Sequence, residues 1–186
     1  EFQSYAEYQR HIQILINAGV MEDSTKIWWD LRPSARYPTL ETRIMDVCTR
    51  MDDAISLAAL LVSTIRMLYR LRIKNQRWRE YNPMLIRENR WRAMRYSFDE
   101  GLIDFGIGSI VPFEQLLDEF IELTLEDAKS LGCESEVAAT KDILRRGTSA
   151  HRQLKTYQSS IDAGKNSEDA LKDVVDMLIS ETAAEL

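Results

Sequence analysis

At 186 residues, 45% hydrophobic and 29% charged, the chain is long enough for a domain with a real core and is too apolar to be disordered by default. A formal net charge of −6 argues against a nucleic-acid binder, which needs a basic excess to neutralise phosphates. Cys48 and Cys133 stand alone, with neither a disulfide framework nor a metal-ligand spacing, so a reducing cytoplasm is the expected setting.

In chain order, Ser4 with Glu7 three residues on reads as a capping box. Tyr8, Ile12, Leu15 and Ile16 follow at helical spacing, and Gly19 ends the first helix. The chain opens without Met, directly at this helix and with no charged-then-apolar leader, so a fragment or processed product is expected. Two strands are expected next, over Lys26 to Arg32 and Thr39 to Asp46, joined by the short link Pro33 to Pro38. Asp52 or Asp53 then caps a long helix through Ala54, Leu57, Leu61, Ile65 and Leu68, ending near Asn75. Its upper part is apolar nearly all round, which predicts burial in the middle of the fold. The apolar run itself, Ala54 to Ile65, is too short to cross a bilayer.

Asn82-Pro83 opens another helix, carrying Glu88, Asn89, Trp91, Arg92 and Arg95. The stretch Phe105 to Val111, with Gly106 and Gly108, reads as an irregular turn or small hairpin. Helices are expected over Pro112 to Leu131, Glu134 to Arg146, Thr148 to Ala163 and Ser167 to Thr182, punctuated by Gly132, Gly147 and Gly164. The fold class is therefore α+β, mostly helical, with a short antiparallel sheet segment. Charge is uneven. Arg66 to Arg95 holds ten Lys or Arg against Glu80 and Glu88, whereas Glu114 to Asp142 holds nine Asp or Glu against Lys129 and Lys141. Such a dipole joins parts of a fold, steers an anion, or is solvated helix surface.

The stretch with the most chemistry is Ile27 to Asp46, IWWDLRPSARYPTLETRIMD. Trp28, Asp30 and Arg32 share one face of the first strand, and Glu41 and Arg43 share one face of the second. If the two faces coincide, two carboxylates and two guanidiniums converge. Mg²⁺ needs hard oxygen ligands, and polyphosphate suits Arg. Spacing alone favours a plainer reading, a cross-strand salt-bridge ladder on a half-exposed sheet.

The run WWDLRPSARYPTLETRIMD resembles the motif of bacterial type 2 glutamate–cysteine ligases and related carboxylate–amine ligases: W-D-x-R-P, a short basic loop, then T-x-E-x-R-x-x-D. Asp30, Arg32, Pro33, Arg36, Thr39, Glu41, Arg43 and Asp46 fall on it. SYAEY before it, and ENRWRAMRYSFDEGLIDFG and GTSAHRQ after it, resemble further family segments, so the resemblance covers nearly the whole chain. The pattern departs at Ser97, where the family carries Gly.

The resemblance implies residues 1–186 to be the carboxyl-terminal half of a single, glutamine-synthetase-like catalytic domain. It implies an enzyme that uses ATP and Mg²⁺ to join a glutamate-like carboxylate to a cysteine-like amine through an acyl-phosphate. Glu41 is then the metal ligand, Arg43 and Arg32 are catalytic, and Arg43, Arg32 and Asp30 contact ATP. Family members run to roughly twice this length, and their first half carries a Gly-x-Glu-x-Glu strand absent here. The fragment is accordingly expected to be inactive alone and to need its amino-terminal half as partner, with a homodimer also implied.

Other residues carry plainer expectations. Arg92 and Arg95 are helix salt-bridging residues before they are substrate contacts. His11 is a surface residue and His151 a helix amino-terminal side chain; a zinc site is not expected. Trp28 and Trp29 are core and cleft-wall aromatics, while Trp78 and Trp91 are core. The competing reading is a non-catalytic helical scaffold that dimerises through the apolar Ala54 to Leu71 helix. A nucleic-acid contact through the basic stretch ranks below both, and no membrane association is expected.

Overall fold

In the computed structural model, residues 2–184 are described. They form two compact units divided between Val47 and Cys48. The first unit holds α1 (Tyr5–Asn17), a 3₁₀ turn (Ser24–Lys26) and the strands β1 (Leu31–Pro33) and β2 (Leu40–Thr42). The second holds α2 (Met51–Ile73), α3 (Pro83–Tyr96), β3 (Leu102–Asp104), β4 (Ser109–Val111), α4 (Phe113–Leu131), α5 (Glu134–Ala138), α6 (Thr140–Arg146), α7 (Ser149–Asp162) and α8 (Ser167–Ala183). The architecture is α+β and mostly helical, with two separate antiparallel hairpins, β1–β2 and β3–β4.

In the first unit, Ser4 caps α1 by accepting from the Glu7 N–H at 3.1 Å. The Glu7 carboxylate bonds the Gln3 N–H rather than that of Ser4, so the expected box closes one residue early. The inner face of α1 buries Tyr8 and Ile12 against Ile27, with Phe2, Ile16 and Met21 around them. Both strands are shorter than expected. Asp23 accepts from the Thr25 N–H at 2.7 Å and winds Ser24–Lys26 into a 3₁₀ turn. The carbonyls of Thr25 and Ile27 are then taken by the Arg32 guanidinium, which leaves them unable to join a ladder. Ser34 closes the hairpin turn: its N–H donates to the Thr39 carbonyl, and its Oγ accepts from the N–H groups of Arg36 and Tyr37.

In the second unit α2 packs against α4, α5 and α6, and α7 pairs with α8. Neither Asp52 nor Asp53 caps α2; Arg50 is the N-cap residue, and both acids sit in the first turn. There they still favour the helix through its dipole. The core is built from small residues. Ala59, Ala128 and Val137 form a buried cluster, with Ser63 and Thr124 fully enclosed. Such side chains let helix backbones approach closely.

The expectation that α2 is buried on every side fails. Its buried residues are Asp53, Ser56, Ala59, Ser63 and Met67, while Ile55, Val62, Tyr69 and Ile73 are exposed. At 23 residues, α2 is also the only described helix long and apolar enough, by length and composition, to cross a membrane. The apolar run counted in the sequence stops at Ile65, before Arg66, whereas the helix continues through Arg66 to Ile73.

Asn82 caps α3 by accepting from the Met84 N–H, with Pro83 in the first turn as expected. The expected helix over Glu134 to Arg146 is broken into α5 and α6 at Ala139. Trp78 and Trp91 are exposed rather than core, at 38% and 48%. No residue of α3 is buried, so there is no core on that helix for Trp91 to enter.

Candidate functional site

The β1–β2 register sets Arg32 directly opposite Glu41, with Leu31 opposite Thr42 and Pro33 opposite Leu40. One step further, the Arg43 N–H donates to the Asp30 carbonyl at 2.8 Å. Side chains two apart on a strand point the same way, so the expected coincidence of faces is met for Arg32, Glu41 and Arg43. Arg32 Nε donates to Glu41 Oε2 at 2.7 Å, and Arg43 Nη2 lies 2.6 Å from Glu41 Oε1. One carboxylate is thus held by a different guanidinium on each oxygen.

The two arginines differ in what else they do. Arg32 is buried, and its Nη1 donates at 2.6 Å to both the Thr25 and Ile27 carbonyls. With Nε on Glu41, its fork is anchored in three directions, which locks the rotamer and fixes Glu41. Arg43 is more open: its guanidinium carbon stands 5.4 Å from the centre of the Trp28 ring. Trp28 is 80% exposed, so this cation–π contact lies at the surface. Trp29 instead packs among Phe2 and Tyr8. Asp30 is half-buried and joins the row through its backbone carbonyl.

The hydrogen bond from Arg32 holds the Glu41 carboxyl below the ordinary glutamate value; desolvation opposes it, and the charges of Arg32 and Arg43 add to the lowering. Glu41 is therefore an anion at neutral pH with both oxygens engaged. Among the described residues no group of three or more His, Cys, Asp or Glu could hold a metal ion. Glu41, flanked by two cations, does not make a Mg²⁺ site by itself. For an anionic ligand Arg43 is the better suited member: Arg32, Glu41 and Arg43 by themselves sum to one positive charge, and Arg43 is the more open of the two arginines.

The second unit shows why other singled-out residues are where they are. Asn89 donates to the Ile103 carbonyl and accepts from the Ile103 N–H, both at 2.8 Å, pinning β3 to α3. Arg92 donates to the carbonyls of Glu100 and Gly101 and lies over Tyr96, as does Arg95. Among the described residues neither forms the expected salt bridge. His11 is exposed and bonds the Glu7 carbonyl within its own helix. His151 is the N3 residue of a capping box with Thr148 at the start of α7, as expected; it also stacks on Phe98 and reaches Asp99 at 3.2 Å. Gly147 allows this closeness, because a Cβ there would stand 2.8 Å from that of His151. Ser97, the departure from the family pattern, has φ +53° in the turn after α3, a region that favours glycine.

Sequence reasoning missed the carbonyls that hold Arg32 and the buried acids of the helical unit. Asp127, 1% exposed, accepts from Arg70 Nε and Nη2 and lies 3.7 Å from Arg66. Part of the basic stretch is thereby spent inside the fold on the acidic one. Asp53 meets Arg146 and Arg152, and Arg152 also binds Glu181, which bonds Thr49. A cavity of about 300 Å³ lies nearby, lined by apolar side chains including Leu57, Leu60, Phe98, Phe113 and Leu117. The available sequence signal was limited to the opposite charges of the two stretches.

The fold and site together define a mostly helical α+β chain in which an antiparallel hairpin presents one glutamate between two arginines. The sequence model of the glutamate-cysteine ligase family 2 matches residues 1–176, and the chain belongs to that family. It is 56% identical over 185 residues to a protein of Rhodospirillum rubrum, covering 100% of this chain and 48% of that one. It is 47% identical over 183 residues to one of Paracoccus denitrificans, covering 98% and 49%, and 50% identical over 185 residues to one of Jannaschia sp., covering 100% and 49%. All three relatives carry the provisional name glutamate–cysteine ligase 2. The chain spans about half the length of the curated relatives it matches.

Proposed function

We propose that this chain is one half of an ATP-dependent carboxylate–amine ligase that forms a γ-glutamyl amide, with a glutamate-like acid and a cysteine-like amine as substrates. The observation that carries the reading is the doubly held Glu41, on a hairpin that matches the family motif, with Arg43 left open beside it. The proposed chemistry has two displacements. A carboxylate oxygen forms a bond to the terminal phosphorus of ATP as the bond to ADP breaks. The amine nitrogen then attacks the acyl carbon, the bond to phosphate breaks, and the nitrogen loses a proton.

In this scheme Arg43 contacts the transferred phosphoryl group, where a fixed cation stabilises negative charge as it spreads. Arg32 acts through Glu41, holding the carboxylate and hence Arg43 in place, and Asp30 fixes the Arg43 backbone. Any Mg²⁺ takes at most one ligand from Glu41 here, with the others supplied from outside these residues. The amino-terminal half is therefore required, and the 186 residues alone are inactive. Cys48 and Cys133, which form no disulfide among the described residues, suit a cytoplasmic protein.

The test is made in a full-length ligase carrying this segment. Glu41→Ala is expected to abolish ATP-dependent amide formation while the helical circular dichroism stays unchanged. Unaltered ligation in that variant would leave the row as a salt-bridge ladder and reject the reading.

A further inference from the structure

The helix α2 is apolar on more sides than the fold covers. A helix packed in a protein normally turns its apolar stripe to the core and its small or polar residues to water. Here the buried positions of α2 are Asp53, Ser56, Ala59, Ser63 and Met67. The opposite side carries Met51, Ile55, Ala58, Val62, Tyr69 and Ile73, all exposed. At 100° per residue these six fall within a band about 60° wide, and over 22 steps the band runs about 33 Å. Of the charged residues near it, Arg66 stands at the edge and is turned toward Asp127 and Ser130. Elsewhere exposed apolar residues are interleaved with charge, as on α8, where Leu171, Val175 and Ile179 alternate with Lys172 and Asp176.

An uncharged stripe of that length on a stably folded chain marks a surface that is covered in the working protein. A bilayer is disfavoured as the cover, because α4 lies against α2 and its exposed residues include Glu119, Glu122 and Glu126. The relatives contain, in a single chain, about as much polypeptide again as the 186 residues here. We propose that the stripe of α2 from Met51 to Ile73 is the seat of that other half, which docks an apolar face along it. The polar residues on the inner side of α2 then make sense as well: Asp53 ties the helix to α6 and α7, and Arg70 ties it to α4, by ion pairs. That leaves the stronger apolar side for the larger partner surface. The inference rests on family membership and on the length of the relatives, and the chemistry at Glu41 plays no part in it.

Cysteine accessibility tests it without turnover, so its failure is separate from any failure of the ligase reading. Val62→Cys, Ile55→Cys and the control Lys172→Cys are made in this chain. The same variants are made in a full-length chimera, in which this chain replaces the matched half of the Rhodospirillum rubrum relative. Labelling by a maleimide is read peptide by peptide, which scores Cys48 and Cys133 separately. In the chimera, Val62→Cys and Ile55→Cys are expected to label at least about fiftyfold more slowly than in the 186-residue chain, as for a site reached only by local opening. Lys172→Cys is expected to label equally in both. Should the short chain not hold its helices, the comparison is made inside the chimera, where positions 62 and 55 must lag position 172 by a similar factor. Equal rates at all three positions would overturn the proposal. So would protection that rises with protein concentration, which assigns the stripe to a second copy, or protection that needs phospholipid vesicles, which assigns it to a bilayer.

Discussion

The two units of this chain bury charge in opposite ways. In the first, one buried arginine organises a hairpin: Arg32 collects two carbonyls and Glu41, all within nine residues of itself. In the helical unit the buried charges are acids, Asp53 and Asp127, and the arginines reach them from 57 to 99 residues away in sequence. A local cluster can hold one side chain for chemistry, as Arg32 holds Glu41 beside the open Arg43. A long-range cluster fastens helices together and leaves their apolar sides for other work. The difference separates a charge cluster that is local in the chain from one that joins helices distant in sequence.

The comparison can be broken most strongly at Asp127. Asp127→Ala removes a fully enclosed carboxylate and leaves the partly buried Arg70 with only Glu126 near it, and is expected to cost about 3 kcal/mol, read as a lower midpoint in denaturant. Arg32→Ala comes next. It removes the donor shared by Thr25, Ile27 and Glu41 and is expected to cost about 2 kcal/mol, because Glu41 is part-exposed and recovers water. Faster hydrogen exchange at the hairpin amides of Ser34 and Arg43 checks it, and Arg32→Lys cannot restore three divergent bonds. A midpoint change in Asp127→Ala no larger than that in Arg32→Ala would remove the distinction between fastening and shaping.

A gain is expected at Ser97. Its positive φ strains any residue with a Cβ, so Ser97→Gly should raise stability by about 1 kcal/mol, seen as a higher melting temperature. The smallest effect is that of pH. Glu41 has a lowered folded pKa from its Arg32 bond. Glu181 is pushed up by burial but is brought net below its ordinary value by Arg152 and Thr49. For a carboxylate whose folded pKa is depressed, the stabilisation is present above the unfolded value and is lost as pH falls through the folded one. Glu181→Gln and Glu41→Gln should each flatten the acid side of the stability curve, and in neither should the alkaline side move.

What the sequence made legible follows the same division. The Arg32–Glu41–Arg43 row was readable because period-two alternation and a short link fix which side chains meet across a hairpin. Helices α1, α3, α4, α7 and α8 were readable from caps such as Ser4, Asn82 and Thr148 and from glycine stops. The extent of β1 was not, because its would-be ladder carbonyls are claimed by the Arg32 side chain. Nor was the orientation of α2: hydrophobicity on all sides says nothing about which side is covered. That is decided by small residues on α4 and α5, far along the chain. Trp78 and Trp91 were misplaced for a related reason, since bulk and apolarity alone do not supply a neighbour.

The most direct measurement of the ligase reading is positional isotope exchange in a full-length ligase carrying this segment, with ATP labelled by ¹⁸O at the bridge between its last two phosphates. With glutamate present and no amine, reversible acyl-phosphate formation should scramble the label, and Arg43→Ala should stop the scrambling while the protein still folds. Scrambling that proceeds in Arg43→Ala at the rate of the parent protein would contradict the role assigned to the row.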